Sequence, residues 1–360
     1  MARFWKAFRF GARANRVCTG VDLGTHEIKV VRMAHNGSRP AVLGWAAVPS
    51  PAGAEPDGPN RPETAAALEE ALQAAGAVEG ADGLVTAIGG GRVITRNILL
   101  PAMPERELET AVQWEAERHI PVPLDQLVIR HVNLGEVVTE GTTRLHVLLV
   151  GAPRKLVRDY AALFREAGRE LSAVDLQCLA LWRLFFGFQP EKIGPETVAL
   201  LDIGANHTEL VIVQDGSYCG SRSLPGGAGN LSGALYSLSG TGPAADCEPG
   251  ENREVQRRGG ASWRETGPEY AAGAFGAHLL PNIRRSLEWY QSRNRGRRVE
   301  RLIVSGGGSR KDGVTGYLAG QLSLPVDTGR APVSFPGAQE AAFDPKFAVA
   351  AGLALWEMVR

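Results

Sequence analysis

Two acidic residues, Asp22 and Asp202, each stand near the end of an apolar run and each open an Asp-x-Gly triplet. The runs are Val21-Asp22-Leu23-Gly24-Thr25 and Leu201-Asp202-Ile203-Gly204-Ala205. A carboxylate at a strand end is a hard oxygen donor suited to magnesium or to its bound waters. The glycine two residues on has no Cβ, so the backbone turns tightly and brings N–H groups close to a phosphate. Thr25, Asn206 and Thr208 supply small hydrogen-bonding groups, and Lys29 supplies a positive charge over the same phosphates. One Asp-x-Gly is an ordinary turn signal. Here it occurs twice, each time between apolar strands and each time followed by a hairpin signal, Asn36-Gly37 and Asp215-Gly216. The pattern predicts a phosphate-holding hairpin built twice, with a cleft between two similar halves.

The elements around these turns follow from the residue pattern. Val17 to Val48 reads as three strands, and the Pro- and Gly-rich stretch 49–62 as a connector. A helix is expected over Glu63 to Ala75 and strands over Gly83 to Gly91 and Arg92 to Leu100. Pro104 suits the first turn of a helix whose acidic start, Glu105 and Glu107, faces the positive end of the helix dipole. Leu108, Val112 and Ala116 recur at four-residue steps, a stripe that packs its own subdomain or lines a groove for a peptide, together with the corner Pro121-Val122-Pro123. Strands follow at Leu127 to Val138, with Gly135 as a bulge, and at Leu145 to Val150. A helix over Pro153 to Ala167, a strand over Leu171 to Val174 and a helix over Asp175 to Phe188 lead to the second half. There the pattern gives a glycine-rich turn, a short helix over Asn230 to Leu238, a polar stretch over 240–267 and a long helix, Tyr270 to Asn294, interrupted by Pro281. The strand Arg301 to Ser305 ends in Gly306-Gly307-Gly308, which lets backbone approach a ligand closely. Helices over Gly313 to Leu322 and Phe347 to Met358 close the chain.

Composition narrows the classes. The 360 residues carry 39 basic and 39 acidic side chains, so no global charge points to nucleic acid. No apolar run is long enough for a membrane span, and no signal peptide is expected. Cys18, Cys178, Cys219 and Cys247 have no paired spacing, which argues against zinc or a disulfide framework and for a reducing cytoplasm. The first 16 residues carry Arg3, Lys6, Arg9, Arg13 and Arg16 among Phe4, Trp5, Phe8 and Phe10. Phe4, Trp5 and Phe8 would share one helical face, which suits weak contact with an anionic membrane, or the aromatics dock on the body of the protein.

The two hairpins and the late glycine cluster resemble the actin, sugar-kinase and chaperone ATPase superfamily. The block from Leu99-Leu100-Pro101-Ala102-Met103-Pro104 through Trp114-Glu115-Ala116-Glu117-Arg118-His119-Ile120-Pro121 narrows this further. Together with the closing run Phe347 to Leu355, it resembles the PilM family of type IV pilus assembly, actin-like proteins related to the cell-division protein FtsA. The resemblance implies an α/β chain with a duplicated actin-like (ribonuclease H-like) fold, two lobes around a nucleotide cleft. By it, residues 17–90 and 143–195 form the first lobe, 91–142 an inserted subdomain, 196–344 the second lobe with 225–299 its smaller part, and 345–360 a helix returning to the first lobe.

The resemblance also implies ATP and Mg2+, with hydrolysis slow at most. Asp22, Gly24, Thr25 and Lys29 match the first phosphate motif; Asp202, Gly204, Ala205, Asn206 and Thr208 match the second; Gly306, Gly307 and Gly308 match the adenosine motif. Asp22 and Asp202 would hold the metal, and Gln177 stands where the superfamily often places a water-orienting residue. The implied partner is the N-terminal cytoplasmic peptide of the inner-membrane protein PilN within the pilus assembly complex, at the inner face of the cell membrane. Self-association stays open. Two other readings compete: a small-molecule kinase of this superfamily, for which no suitable base stands out in the first half, and an FtsA-like membrane-associated filament. The stretch Thr241 to Asn252, broken by Pro and Gly, departs from the charged helix expected at the nucleoside side.

Overall fold

The computed structural model describes residues 8–9, 17–36, 39–56, 58–80, 82–89, 91–139, 141–187, 194–228, 268–294, 296–330, 333 and 343–357. In chain order the first part contains β1 (Phe8–Arg9), β2 (Val17–Leu23), β3 (Glu27–Asn36), β4 (Arg39–Pro49), α1 (Arg61–Ala74) and β5 (Gly83–Ile88). An insertion follows: β6 (Ile94–Pro101), α2 (Glu105–His119), β7 (Leu127–Thr139) and β8 (Thr142–Pro153). Then come α3 (Arg154–Glu166), β9 (Leu171–Leu176) and α4 (Gln177–Trp182), which runs into a π-helical turn, Arg183–Gly187. The second part has β10 (Thr197–Ile203), β11 (His207–Gln214), β12 (Ser217–Pro225), α5 (Pro268–Arg293), β13 (Arg301–Ser305), α6 (Val314–Leu322), β14 (Val326–Thr328) and α7 (Ala348–Ala354).

The duplication is visible in the strand order. One sheet runs β1-β9-β5-β2-β3-β4 and the other β12-β11-β10-β13-β14. Removing the edge strand β1 leaves the same order in each. β2 and β10 are each antiparallel to the strand that follows and parallel to β5 and β13 respectively. Even the irregularity is repeated. The ladder slips between Arg32 and Met33 in one lobe and between Ile212 and Val213 in the other, ten residues beyond Asp22 and Asp202. A bulge increases twist and re-aims the strand, so both outer strands bend away at the same height.

α1 and α3 cover one face of the first sheet, through Leu68, Leu72, Tyr160, Leu163 and Phe164. The opposite face meets α4, α7 and residues of the second sheet in a core shared by both lobes. α7 is apolar on every side, from Ala348 to Ala354, because it is enclosed on every side. It lies so close to β2 that a Cβ on Gly20 would overlap the Ala350 carbonyl, and its own Gly352 sits against the Ala180 carbonyl of α4. Arg183 donates to both the Asp175 carboxylate at 2.9 Å and the Gly352 carbonyl at 3.1 Å, an ion pair buried at the base of the shared core.

Several expectations are corrected. β8 does not return to the first-lobe sheet at residue 143; it is the middle strand of a three-stranded sheet, β6-β8-β7, so the insertion runs to Pro153. Both edges of β8 are paired, with β6 and with β7, while its two faces are buried by packing, Leu145, Val147 and Leu149 in the insertion's own core and Leu148 and Val150 in the core shared by the lobes. The stripe Leu108, Val112 and Ala116 is fully covered by that sheet rather than lining a groove. Asn36 is the last paired residue of β3, opposite Arg39, so it stands in the ladder itself. The second turn is as expected: Asp215 (φ 51°) and Gly216 (φ 77°) are both left-handed, as a two-residue type I′ hairpin requires. α5 continues through Pro281 although proline removes one backbone donor, because Leu279, Leu280, Ile283 and Tyr290 bury the helix against the second sheet. Phe8–Arg9 is an edge strand antiparallel to β9, not part of a helical face. The other residues of that tail, the helix expected over Asn230 to Leu238 and the polar stretch 240–267 lie outside the described residues.

Candidate functional site

The ends of β2 and β10 point into one cleft of about 730 Å3 between the lobes. Asp22, Gly24, Thr25 and Lys29 line it from the first hairpin, and Asp202, Gly204, Ala205 and Asn206 from the second. Gly306, Gly307, Gly308 and Gln177 complete this set. Thr208 is the exception. Strand alternation turns it away from the cleft, fully buried, with its hydroxyl donating to the Gly226 carbonyl at 2.8 Å.

The glycines are fixed by close backbone. A Cβ on Gly24 would sit 2.6 Å from the Glu27 carbonyl, and one on Gly204 would sit 2.8 Å from the His207 carbonyl. Gly306 adopts φ 82° and packs on Ile203, which locks the late glycine loop against the second Asp-x-Gly turn. Gln177 starts α4 with its amide against Gly89, where any side chain would collide with it.

The charges opposite the two aspartates differ. Asp22 is paired in register with Lys29, whose ammonium lies 3.1 Å from the carboxylate. Burial works to lower the Lys29 pKa, but Asp22, then Asp202 and Glu27, outweigh it and hold the ammonium above its ordinary value. Asp202 is paired in register with Glu209. Burial raises Asp202 to about 6, against a Ser305 hydroxyl that donates to it at 2.8 Å. Burial and the neighbouring Asp202 raise Glu209 to about 8. Glu209 went unnoticed in the sequence although the signal was there, since it follows Asp202 at the spacing by which Lys29 follows Asp22.

Other lining groups had no local signal. Arg92 reaches the cleft beside Tyr160, donating to its hydroxyl at 2.6 Å. Lys311 donates to the Ala228 carbonyl at 3.1 Å, and burial lowers its pKa. Lys346 arrives from the segment before α7 and pairs with Glu27. Chemically, the cleft offers backbone turns and cations for an anionic ligand and two strand-end carboxylates for a hard cation.

Known proteins share this architecture. A chain of a solved PilM–PilN type IV pilus biogenesis complex superposes with a TM-score of 0.74, at 26% identity over 94% of this chain and 98% of that one. MreB5 of Spiroplasma citri, solved bound to AMPPNP, has the same fold at a TM-score of 0.50 and 13% identity, over 96% of this chain and 97% of that one. Among the described residues no helix is long and apolar enough to cross a membrane. Residues 20–358 match the family profile described as type IV pilus assembly protein PilM, and with a match of that extent the chain belongs to the PilM family of actin-like proteins.

Proposed function

We propose that the chain is a Mg-ATP-binding adaptor of a type IV pilus assembly complex, held at the inner face of the cell membrane by docking the N-terminal cytoplasmic peptide of a PilN partner. The observation that carries the nucleotide part is the cleft itself, where two Asp–Gly turns converge and Lys29, Arg92, Arg310, Lys311 and Lys346 line the walls. The donor set suits magnesium. Among the described residues no cluster of three or more His, Cys, Asp or Glu forms a metal cage. Magnesium is commonly held by one or two carboxylates, with waters and substrate phosphates supplying the rest. Asp22 and Asp202 would hold the ion or its waters, and the ion would neutralise phosphate charge. Lys29 is poised to exchange its carboxylate partner for a phosphate oxygen, and the Gly24, Gly204 and Gly307 turns keep side chains out of the ligand's way. Gln177, between Gly89 and the cleft, orients water.

Calorimetry with Mg-ATP tests this. Asp22→Ala and Asp202→Ala should each weaken binding by about 100-fold, at the upper end of what loss of a metal's supporting shell costs. Undiminished affinity in the double variant would sink the assignment.

The partner is supported by the likeness to a chain of the PilM–PilN complex. Since the α2 stripe is buried, the apolar surface of the insertion among the described residues includes the corner Pro121-Val122-Pro123 and the exposed Trp114, Leu99 and Val138. A peptide groove between this insertion and the first lobe would use the corner. Fluorescence anisotropy with a labelled PilN N-terminal peptide should show weaker binding to Val122→Glu with Mg-ATP binding retained. Unchanged peptide affinity would move the docking site elsewhere.

A further inference from the structure

The segment just before α7 touches both sides of the cleft at once. Its Pro345 carbonyl accepts from Gly306 N–H at 3.0 Å, which ties it to the glycine loop of the second lobe. Asp344 faces Arg310 at 3.7 Å on the same side. One residue further, Lys346 reaches the first lobe, its ammonium 3.2 Å from each Glu27 oxygen. Glu27 stands three residues beyond Gly24 in the first hairpin, and both Glu27 and Lys346 line the cleft.

The lysine is held in place before any ligand arrives. Pro345 sits in the first turn of a 3-10 segment, Pro345–Phe347, and the Asp344 carboxylate caps it by accepting from Lys346 N–H. Phe347 is buried in the shared core, and the Lys346 ammonium lies 5.2 Å from its ring centroid. A cation on a fixed backbone loses little conformational freedom when it takes a ligand. Its present partner is a single part-buried carboxylate that also lines the cleft, and a polyphosphate offers the ammonium more negative charge than that one group.

We propose that Lys346 is a phosphate-binding residue delivered to the nucleotide by the C-terminal segment, and that it engages the ligand by exchanging Glu27 for a phosphate oxygen. The proposal rests on the nucleotide reading of the cleft. It adds a residue from outside all three motifs and makes nucleotide binding break the one ion pair described between this segment and the first hairpin. Because the segment continues directly into α7, which packs on β2, phosphate occupancy acts on the core shared by the lobes as well as on the turns.

The test is a two-residue cycle read by calorimetry on the full chain, with Mg-ATP and with adenosine. Lys346→Gln should weaken Mg-ATP about tenfold, the size of one lost charge-assisted hydrogen bond, and leave adenosine unchanged. Lys346→Arg should restore most of the loss. Glu27→Gln should tighten Mg-ATP about threefold by freeing the lysine, and that gain should vanish in the Glu27→Gln/Lys346→Gln chain, as coupled residues require. A role confined to structure would lower the melting temperature of Lys346→Gln without changing the ratio of ATP to adenosine affinity, and that result overturns the proposal. A gain from Glu27→Gln that persists without Lys346 also overturns it, because it reports only removal of a repelling carboxylate. If the unsubstituted chain binds no Mg-ATP, the nucleotide reading fails and this proposal with it. If it binds and Lys346→Gln binds equally, this proposal fails alone.

Discussion

The two hairpins share a backbone and differ in charge. Both place an aspartate at the same point of the same ladder, both turn on a glycine two residues later, and both slip register ten residues on. The residue directly across from the aspartate is Lys29 in one lobe and Glu209 in the other. The first lobe therefore presents a carboxylate already paired with an ammonium, and the second presents two carboxyl groups that desolvation raises first, with Asp22 adding to the rise of Asp202 and Asp202 to that of Glu209. A duplicated fold preserves what the backbone needs and leaves the facing side chains free to diverge. For the Mg-ATP ligand proposed above, that divergence would assign the lobes unequal tasks.

The comparison breaks most readily at Lys29. Lys29→Met strands the Asp22 carboxylate without its counter-ion and should lower the unfolding free energy by about 2 kcal/mol, less than for a fully enclosed pair because the cleft admits water. Urea denaturation measures it, and a loss no larger than experimental error would mean that the first hairpin gains nothing from its ion pair. The backbone half of the comparison predicts equality. Gly24→Ala and Gly204→Ala push a methyl group against the carbonyls of Glu27 and His207, and each should cost about 1–3 kcal/mol, as overpacking does. Clearly different costs would show that the turns are less alike than their registers.

A smaller effect of opposite sign is expected at Glu209. Replacing it with Gln removes a carboxyl that burial disfavours when charged, so the ligand-free chain should become more stable at pH 8 by about 1 kcal/mol. The pH dependence sharpens this. In the folded chain Glu209 titrates near 8 rather than 4.5, so between these values it holds a proton that the unfolded chain has released. Its favourable contribution is complete below about 4.5 and is lost as pH rises through about 8, with Asp202 adding a smaller loss between 3.8 and about 6. Chelator-treated protein melted across this range should lose stability with rising pH, and Glu209→Gln should flatten the upper part of the curve. An unchanged curve would show that Glu209 is solvated rather than buried.

The duplication was legible because it is written locally. Apolar runs ending in Asp-x-Gly, hairpin signals at matching offsets and a strand ending in three glycines are properties of short stretches, and they led to eleven of the residues that line the cleft. Thr208 shows the limit of such reading, since a hydroxyl two residues from Asn206 looks equally available until the strand's alternation points it inward. The insertion shows another. The spacing of Leu108, Val112 and Ala116 established that α2 has an apolar face, but only the three-stranded sheet beneath it decided what covers that face.

What the sequence determined by itself is the set of elements and turns, because strand alternation, glycine conformation and helix periodicity depend on neighbours within a few residues. It also determined family membership, through the block from Leu99 to Pro121 and the closing apolar run. The tertiary structure alone decided which charges share the cleft. Lys346 and Glu27 are separated by most of the chain, and no local pattern marks either of them. They meet because α7 is apolar on all sides and is buried only by returning to β2, which carries the preceding residues across the mouth of the cleft. That placement follows from enclosing a helix in the core between two lobes, a condition set by the whole fold and by no single stretch of it.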